Sequence, residues 1–315
     1  MNIEINRRDL MRLLATGALS LSLPGAHQAQ SSTMINPGRK RVMRFAHITD
    51  IHMQPERGAP EKFVKCLHHI QNQMDKADFI VSGGDTIMDA LAQEKPRVKE
   101  QWDLWHSIIR NECSLPIDYC IGNHDIWGLE QAKNQSDYGK KHATEMLQLD
   151  KPYRSFDRKG WHFIMLDSTH VNENGKWYVA KLDDEQKVWL REDLKNTPKH
   201  IPIMIISHIP IVAACVFNFG DNVKNGHWDV PGSWMHIDAV ELIKLFNEHK
   251  NVKACISGHM HLLDLVVYND IQYFCNGAVC GSWWKDEMYH QTRAGYAMIN
   301  LYDDGTVERE YIHYT

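Results

Sequence analysis

The stretch Ile117-Asp118-Tyr119-Cys120-Ile121 runs directly into Gly122-Asn123-His124-Asp125. An apolar run that stops in a glycine and polar residues predicts a buried strand ending abruptly in a turn. Glycine is expected there to let the backbone bend, so that three polar side chains project from the strand's C-terminal end. Open α/β sheets keep their ligand sites at that end. An amide beside an imidazole at such a place is hard to explain by packing alone, and it needs partners from elsewhere in the chain.

The sequence supplies them. From Arg41 onward, strand-like and helix-like segments alternate, which predicts an α/β class. Val42 to Thr49 is an apolar strand ending in Asp50-Ile51-His52, and Phe79 to Ser82 is another ending in Gly83-Gly84-Asp85. Trp161 to Leu166 ends at Asp167, Ile201 to Ser207 at His208, and Lys253 to Ser257 at Gly258-His259-Met260-His261. Strands are also expected over Leu263 to Tyr268, Ile271 to Phe274, Tyr296 to Leu301 and Val307 to Tyr311, with Asp303-Asp304-Gly305 as a hairpin turn.

Helical spacing covers Glu61 to Met74 (Phe63, Leu67, Ile70 and Met74 on the buried face), Leu91 to Arg110, Ala132 to Leu147 and Ile237 to His249. Asp183 with Gln186 forms a capping-box signature for the helix that carries Val188, Trp189, Leu190 and Leu194. No internal repeat or low-complexity block interrupts the pattern.

Any one of these strand ends is weak evidence, because a lone histidine after a strand usually belongs to the core. Asp50 and His52, Asp85, Asn123 and His124, His208, and His259 and His261 occurring together are a constellation. Carboxylate, imidazole and amide oxygen suit borderline divalent metals, whereas calcium selects oxygens alone. Asp-x-His and His-x-His place alternate residues on one side of an extended segment, so both members can reach an ion.

In this order, D-x-H, G-D, G-N-H-D, H and G-H-x-H, the set resembles the calcineurin-like metallophosphoesterase superfamily, over nearly the whole chain from Asp50 to the C-terminal strands. The resemblance implies a four-layer α/β/β/α sandwich over residues 41–315, with its site at the strands' C-terminal ends. It implies that Asp50, His52 and His261 hold one metal ion, that Asn123, His208 and His259 hold a second, and that Asp85 bridges them. The ions would be divalent or trivalent: manganese, iron or zinc. A hydroxide between them would attack phosphorus, and His124 would protonate the leaving oxygen, with Asp125 closing the motif as a second catalytic position.

Met88 departs from two branches of the superfamily. The protein Ser/Thr phosphatases carry an aspartate there that orients the catalytic histidine, and the purple acid phosphatases carry a tyrosine ligand. Asp89 is the candidate substitute for the orienting carboxylate. The remaining pattern resembles the bacterial phosphodiesterase branch, including cyclic-nucleotide phosphodiesterases. The expected activity is therefore hydrolysis of a small phosphodiester. A pyrophosphatase acting on nucleotide- or lipid-linked diphosphates, a phosphomonoesterase and a non-catalytic scaffold remain as alternatives. Phe217, Phe219, Trp228, Trp234 and the pair Trp283-Trp284 are candidates for a substrate wall, each of which could equally anchor a loop.

The amino terminus reads as targeting. Arg7-Arg8 precedes a weakly apolar run from Leu13 to Leu23, a pattern that resembles a twin-arginine export signal over residues 1–30, followed by a polar linker over 31–40. An ordinary basic amphipathic terminus is the alternative. The run is too short to span a bilayer, so no stable membrane association is expected, only a transient encounter with the twin-arginine translocase and a periplasmic or secreted destination.

A net charge of −5 supplies no basic field for long nucleic acid. Seven cysteines are an odd number without any C-x-x-C, which removes zinc-ribbon and thioredoxin readings. Cys66, Cys120, Cys215 and Cys255 are expected as buried thiols, and Cys275 and Cys280 are close enough in sequence to pair without any need to.

Overall fold

A computed structural model describes residues 38–172 and 178–315. The expected export signal, and the linker up to residue 37, lie outside the described residues. Residues 39–315 form one compact unit built on two sheets.

The first sheet contains β1 (Arg41–Ile48), β2 (Phe79–Ser82), β3 (Ile117–Tyr119), β14 (Tyr296–Tyr302) and β15 (Val307–Ile312), in the order β15-β14-β1-β2-β3. β1, β2 and β3 are parallel, while β14 joins β1 antiparallel and closes on β15 through the predicted hairpin. The second sheet has the order β12-β13-β11-β8-β5-β4. It is made from β4 (Arg154–Arg158), β5 (Trp161–Met165), β8 (Ile203–Ile206), β11 (Val252–Ser257), β12 (Asp264–Tyr268) and β13 (Ile271–Cys275). Its central strands β5, β8, β11 and β13 are parallel. Two small hairpins pair β6 (Thr169–Val171) with β7 (Tyr178–Ala180), and β9 (Val223–Lys224) with β10 (His227–Trp228).

Side-chain alternation shows why the central strands are apolar throughout. Phe45, Phe79 and Val81 point from the first sheet toward Phe163, Met204, Ile206 and Ile256 of the second, forming one core between the sheets. Their sequence neighbours Ala46, Ile48 and Ile80 point the other way, onto Phe63 and Leu67 of α1 (Ala59–Gln71) and Trp102 and Trp105 of α2 (Lys95–Glu112). Ile164, Ile203 and Ile205 likewise face Leu190 and Leu194 of α4 (Asp184–Asn196) and Leu242 and Phe246 of α5 (Ala239–Glu248). Strands covered on both faces must read as continuous hydrophobic runs. The result is the α/β/β/α sandwich.

Several expectations shift. The helix expected from Leu91 starts at Lys95, because Asp89 first caps a loop by accepting from the amides of Leu91 (2.8 Å) and Ala92 (3.3 Å). The one expected over Ala132 to Leu147 is only a 3-10 turn (Glu130–Ala132) and a short α3 (Lys140–Met146), separated by the turn formers of Asn134 to Gly139. α1 ends at Gln71, which leaves Met74 fully exposed rather than in the core. β4, Arg-Ser-Phe-Asp-Arg, escaped the sequence reading because a polar edge strand lacks the buried-strand signature.

Asp183 does cap α4 through the amide of Gln186 (2.8 Å), but the Gln186 side chain does not return to the cap. It bonds both the amide and the carbonyl of Asp167 at 2.9 Å, tying α4 to the end of β5. All seven cysteines are free thiols, and Cys66, Cys120, Cys215 and Cys255 are buried as expected. Among the described residues, no helix is long and apolar enough to cross a membrane.

Candidate metal centre

The C-terminal ends of β1, β2 and β3 and of β8 and β11 deliver their polar cargo to one place. Asp50 Oδ1 lies 3.4 Å from His261 Nε2 and 3.9 Å from His52 Nε2, and the two imidazole nitrogens are 3.1 Å apart. Asp85 Oδ2 lies 3.6 Å from His52 Nε2 and 3.2 Å from His208 Nε2. His208 Nε2 is in turn 3.2 Å from both Asn123 Oδ1 and His259 Nδ1. Two groups of donor atoms therefore meet at a single shared oxygen, Asp85 Oδ2.

Outer hydrogen bonds decide which ring nitrogen faces inward. A carbonyl can only accept, so the ring atom touching it must carry the proton. His208 Nδ1 donates to Gly83 (2.9 Å), His259 Nε2 to Ser233 (2.8 Å) and His261 Nδ1 to Gly281 (3.1 Å). The opposite nitrogen of each ring is left to offer a lone pair to the centre. Asp50 Oδ2 is occupied by Thr49 Oγ1 (2.7 Å) and the His259 amide (2.9 Å), while its buried Oδ1 has no hydrogen-bond partner. A buried, unpartnered carboxylate oxygen beside imidazole lone pairs is a poor core and a good cation site.

The electrostatics agree. Burial opposes charge on His208, yet the Asp85 carboxylate holds it up to about 9, so entry of a cation must displace a proton from this ring. Burial and the neighbouring His208 push His259 down to about 4, and burial and His124 hold His52 well below the ordinary histidine range.

The backbone is bent to make this arrangement. Asp50 (φ 53°), His52 (48°), Asp85 (52°), His259 (68°) and His261 (56°) all occupy the left-handed region, which is costly for side chains of this size. Loop-to-loop bonds hold them there, such as the Asp50 amide on the Gly84 carbonyl (3.0 Å) and the His52 amide on the Asp85 carbonyl (2.9 Å). Gly122 is needed for a different reason from the expected bend. Its φ of −100° is open to any residue, but a Cβ there would sit 2.1 Å from Asp85 Oδ1.

His124 stands beside the centre, about a quarter exposed, with its ring 4.7 Å from that of His52. Its Nδ1 donates to the Met88 carbonyl at 2.7 Å, which turns Nε2 toward the cleft. The residue whose side chain departs from the phosphatase pattern thus orients the histidine with its main chain. Asp89, the expected substitute, is 4.0 Å away and engaged in its own loop. Asp89→Asn should therefore leave kcat within a few-fold of wild type, and a loss as large as that of a His124 variant would restore Asp89 as the orienting group.

Asp125 is fully buried beneath the site. Its Oδ1 accepts from the amides of Thr86 (2.8 Å) and Ile87 (3.3 Å) and its Oδ2 from that of Gly122 (2.9 Å), so its carboxylate stitches the β2 and β3 loops together. Burial and Asp85 push it up to about 7, against the Gly122 and Ile87 amides and His208, which favour the ionised form. This geometry describes a positioning residue.

The aromatic candidates divide. Trp284 is buried, with Nε1 on the His52 carbonyl (3.0 Å), and belongs to the core. Phe219 and Trp234 pack on each other (4.5 Å) in a satellite cluster with Met260 and Leu262, and Phe217 meets Trp228 (5.1 Å) on the surface. Trp283 alone of the six lies over the donor atoms, its ring 4.3 Å from His52 and 4.6 Å from His261.

Residues 43–263 match the model of the calcineurin-like phosphoesterases. The chain belongs to that family. It is a metal-dependent phosphoester hydrolase. Among relatives, it is 22% identical over 291 residues to the 3′,5′-cyclic adenosine monophosphate phosphodiesterase CpdA of Haemophilus influenzae, covering 89% of this chain and 93% of that one. It is 25% identical over 209 residues to a probable glycerophosphodiester phosphodiesterase, GpdQ, of Arcobacter nitrofigilis, covering 65% and 64%. A dimetal phosphatase from Danio rerio shares the fold, with a TM-score of 0.60 at 14% identity over 88% of this chain and all of the other.

Proposed function

We propose that this hydrolase cleaves phosphodiesters at a centre of two metal ions. The observation that carries the reading is the pair of donor groups meeting at Asp85 Oδ2, with Asp50, His52 and His261 on one side and Asn123, His208 and His259 on the other. Manganese, iron or zinc fit a mixture of imidazole, amide and carboxylate. Bound there, such ions supply Lewis acidity at the phosphoryl oxygens and an activated water.

The chain's own residues supply the rest. His124, held by the Met88 carbonyl, presents Nε2 to the departing oxygen and gives it a proton as the ester bond breaks. Asp125 keeps the loop that carries both Asn123 and His124 in register with Asp85. Among the described residues, no lysine or arginine pairs with the seven donors or with His124, which suits a substrate with one phosphoryl charge better than a dianionic monoester. The names of the CpdA and GpdQ relatives favour the same class.

The test is a turnover screen of metal-reconstituted protein against bis-p-nitrophenyl phosphate, p-nitrophenyl phosphate, cyclic nucleotides and nucleoside diphosphate esters. Diesters should lead. Preference for the monoester, or cleavage of diphosphates alone, would overturn the reading.

We also infer export by the twin-arginine route, supported by Arg7-Arg8 ahead of a short apolar run. Replacing both arginines by lysine should retain the protein in the cytoplasm, as read by fractionation. Undiminished periplasmic activity of that variant would remove this route.

A further inference from the structure

Trp283 occupies a costly position. Both it (φ 57°) and Trp284 (φ 64°) lie in the left-handed region, a conformation that two bulky residues in succession adopt only when the surroundings enforce it. Four bonds do so. Arg57 Nη1 donates to the Trp283 carbonyl and Lys62 Nζ to that of Trp284, each at 2.9 Å. The Trp284 amide bonds the Cys280 carbonyl (2.8 Å), and its indole bonds that of His52 (3.0 Å). Trp284 does the packing, being 2% exposed, so the turn does not need a second tryptophan to be anchored. What the strain achieves is to place the half-buried Trp283 indole against the centre.

The indole lies on one side only. Its ring is 4.3 Å from His52, 4.6 Å from His261 and 5.9 Å from His124. The opposite side, at His259, is flanked instead by Tyr178 (6.1 Å). A diester has two different ends, and the departing one is defined by where the proton donor stands. His124 is on the His52 side, so an alcohol protonated there would leave on the side that carries Trp283, away from the His208–His259 pair.

Resting on the diester reading above, we propose that Trp283 recognises the leaving group: a planar aromatic alcohol stacks on its indole, and this fixes which of the two ester bonds is presented to His124. An apolar, polarisable face favours aromatic over aliphatic groups of the same size.

Two substrates isolate that face. Methyl benzyl phosphate and methyl cyclohexylmethyl phosphate have leaving alcohols of similar bulk and basicity, differing in aromaticity. Wild type should prefer the benzyl ester. Trp283→Ala should lower kcat/KM on it by about 5- to 150-fold, the scale of stacking losses on alanine substitution. The cyclohexylmethyl ester should lose clearly less, so that the benzyl preference disappears, and metal content should stay at the wild-type level. Trp283→Phe should keep the preference, and Trp283→Leu, which keeps apolar bulk without the π face, should lose it even if alanine loosens the turn. Calorimetric binding of benzyl(methyl)phosphinate, which has no P–O–C ester bond to cleave, should weaken in parallel. Equal losses on both esters, or a wild type that cleaves both alike, would overturn the role of Trp283 alone. A wild type that cleaves neither diester would overturn the phosphodiesterase reading itself.

Discussion

Asp85→Asn is expected to cut turnover at least about a hundredfold while leaving the fold intact, the size of loss that changes close to a metal commonly bring. The position is singular because one oxygen serves both donor groups: Oδ2 is 3.6 Å from His52 Nε2 and 3.2 Å from His208 Nε2. The other oxygen accepts from the His124 amide at 2.8 Å, so this carboxylate also sets where the proposed proton donor begins. Asparagine keeps the shape and one acceptor oxygen but removes the charge between the two groups. Elemental analysis should show metal content falling with activity, and thermal unfolding should show a cooperative transition like that of wild type. Near-normal kcat with both metals still bound would sink the assignment of Asp85 as the bridge.

The site was legible in the sequence because most of the candidate ligands follow strands buried on both faces, Asn123 after the half-buried edge strand β3 being the exception. Phe79-Ile80-Val81 can only be apolar throughout if helices cover one side and a second sheet the other, and Asp85 then follows at the sheet's ligand-bearing end. What was not legible is backbone. The carbonyls of Gly83, Ser233 and Gly281 that fix three histidine tautomers carry no residue-type signature, nor does that of Met88, which orients His124. An absent aspartate therefore read as an open question when the main chain at the same position already supplied the acceptor. The sequence marks Gly122 as a bend, but no residue pattern reveals that a Cβ there would sit 2.1 Å from Asp85 Oδ1 in another loop. Trp283 and Trp284 look alike in sequence, and only the turn's geometry sends one to the core and the other to the centre.

His124→Ala is expected to retain metal and lose turnover by about two to four powers of ten, the usual worth of a general acid. Asn123 and His124 are adjacent, yet the structure gives their side chains different partners. Asn123 Oδ1 faces His208 Nε2 at 3.2 Å within a donor group, whereas His124 turns its Nδ1 to a backbone carbonyl and keeps a partly exposed ring beside the cleft. A group that gives a proton matters in proportion to how badly the departing oxygen needs one. An alkoxide needs it, while nitrophenolate is stable as an anion. The variant should accordingly be crippled on methyl benzyl phosphate and much less so on bis-p-nitrophenyl phosphate. The selectivity is distinct from that proposed for Trp283, where aromaticity rather than basicity of the leaving group decides. A ring nitrogen of His124 also lies near enough to His52 and Asp85 for the residue to be mistaken for a metal ligand. Loss of metal from the alanine variant, or equal loss of rate on both esters, would show that His124 has some role other than proton donor.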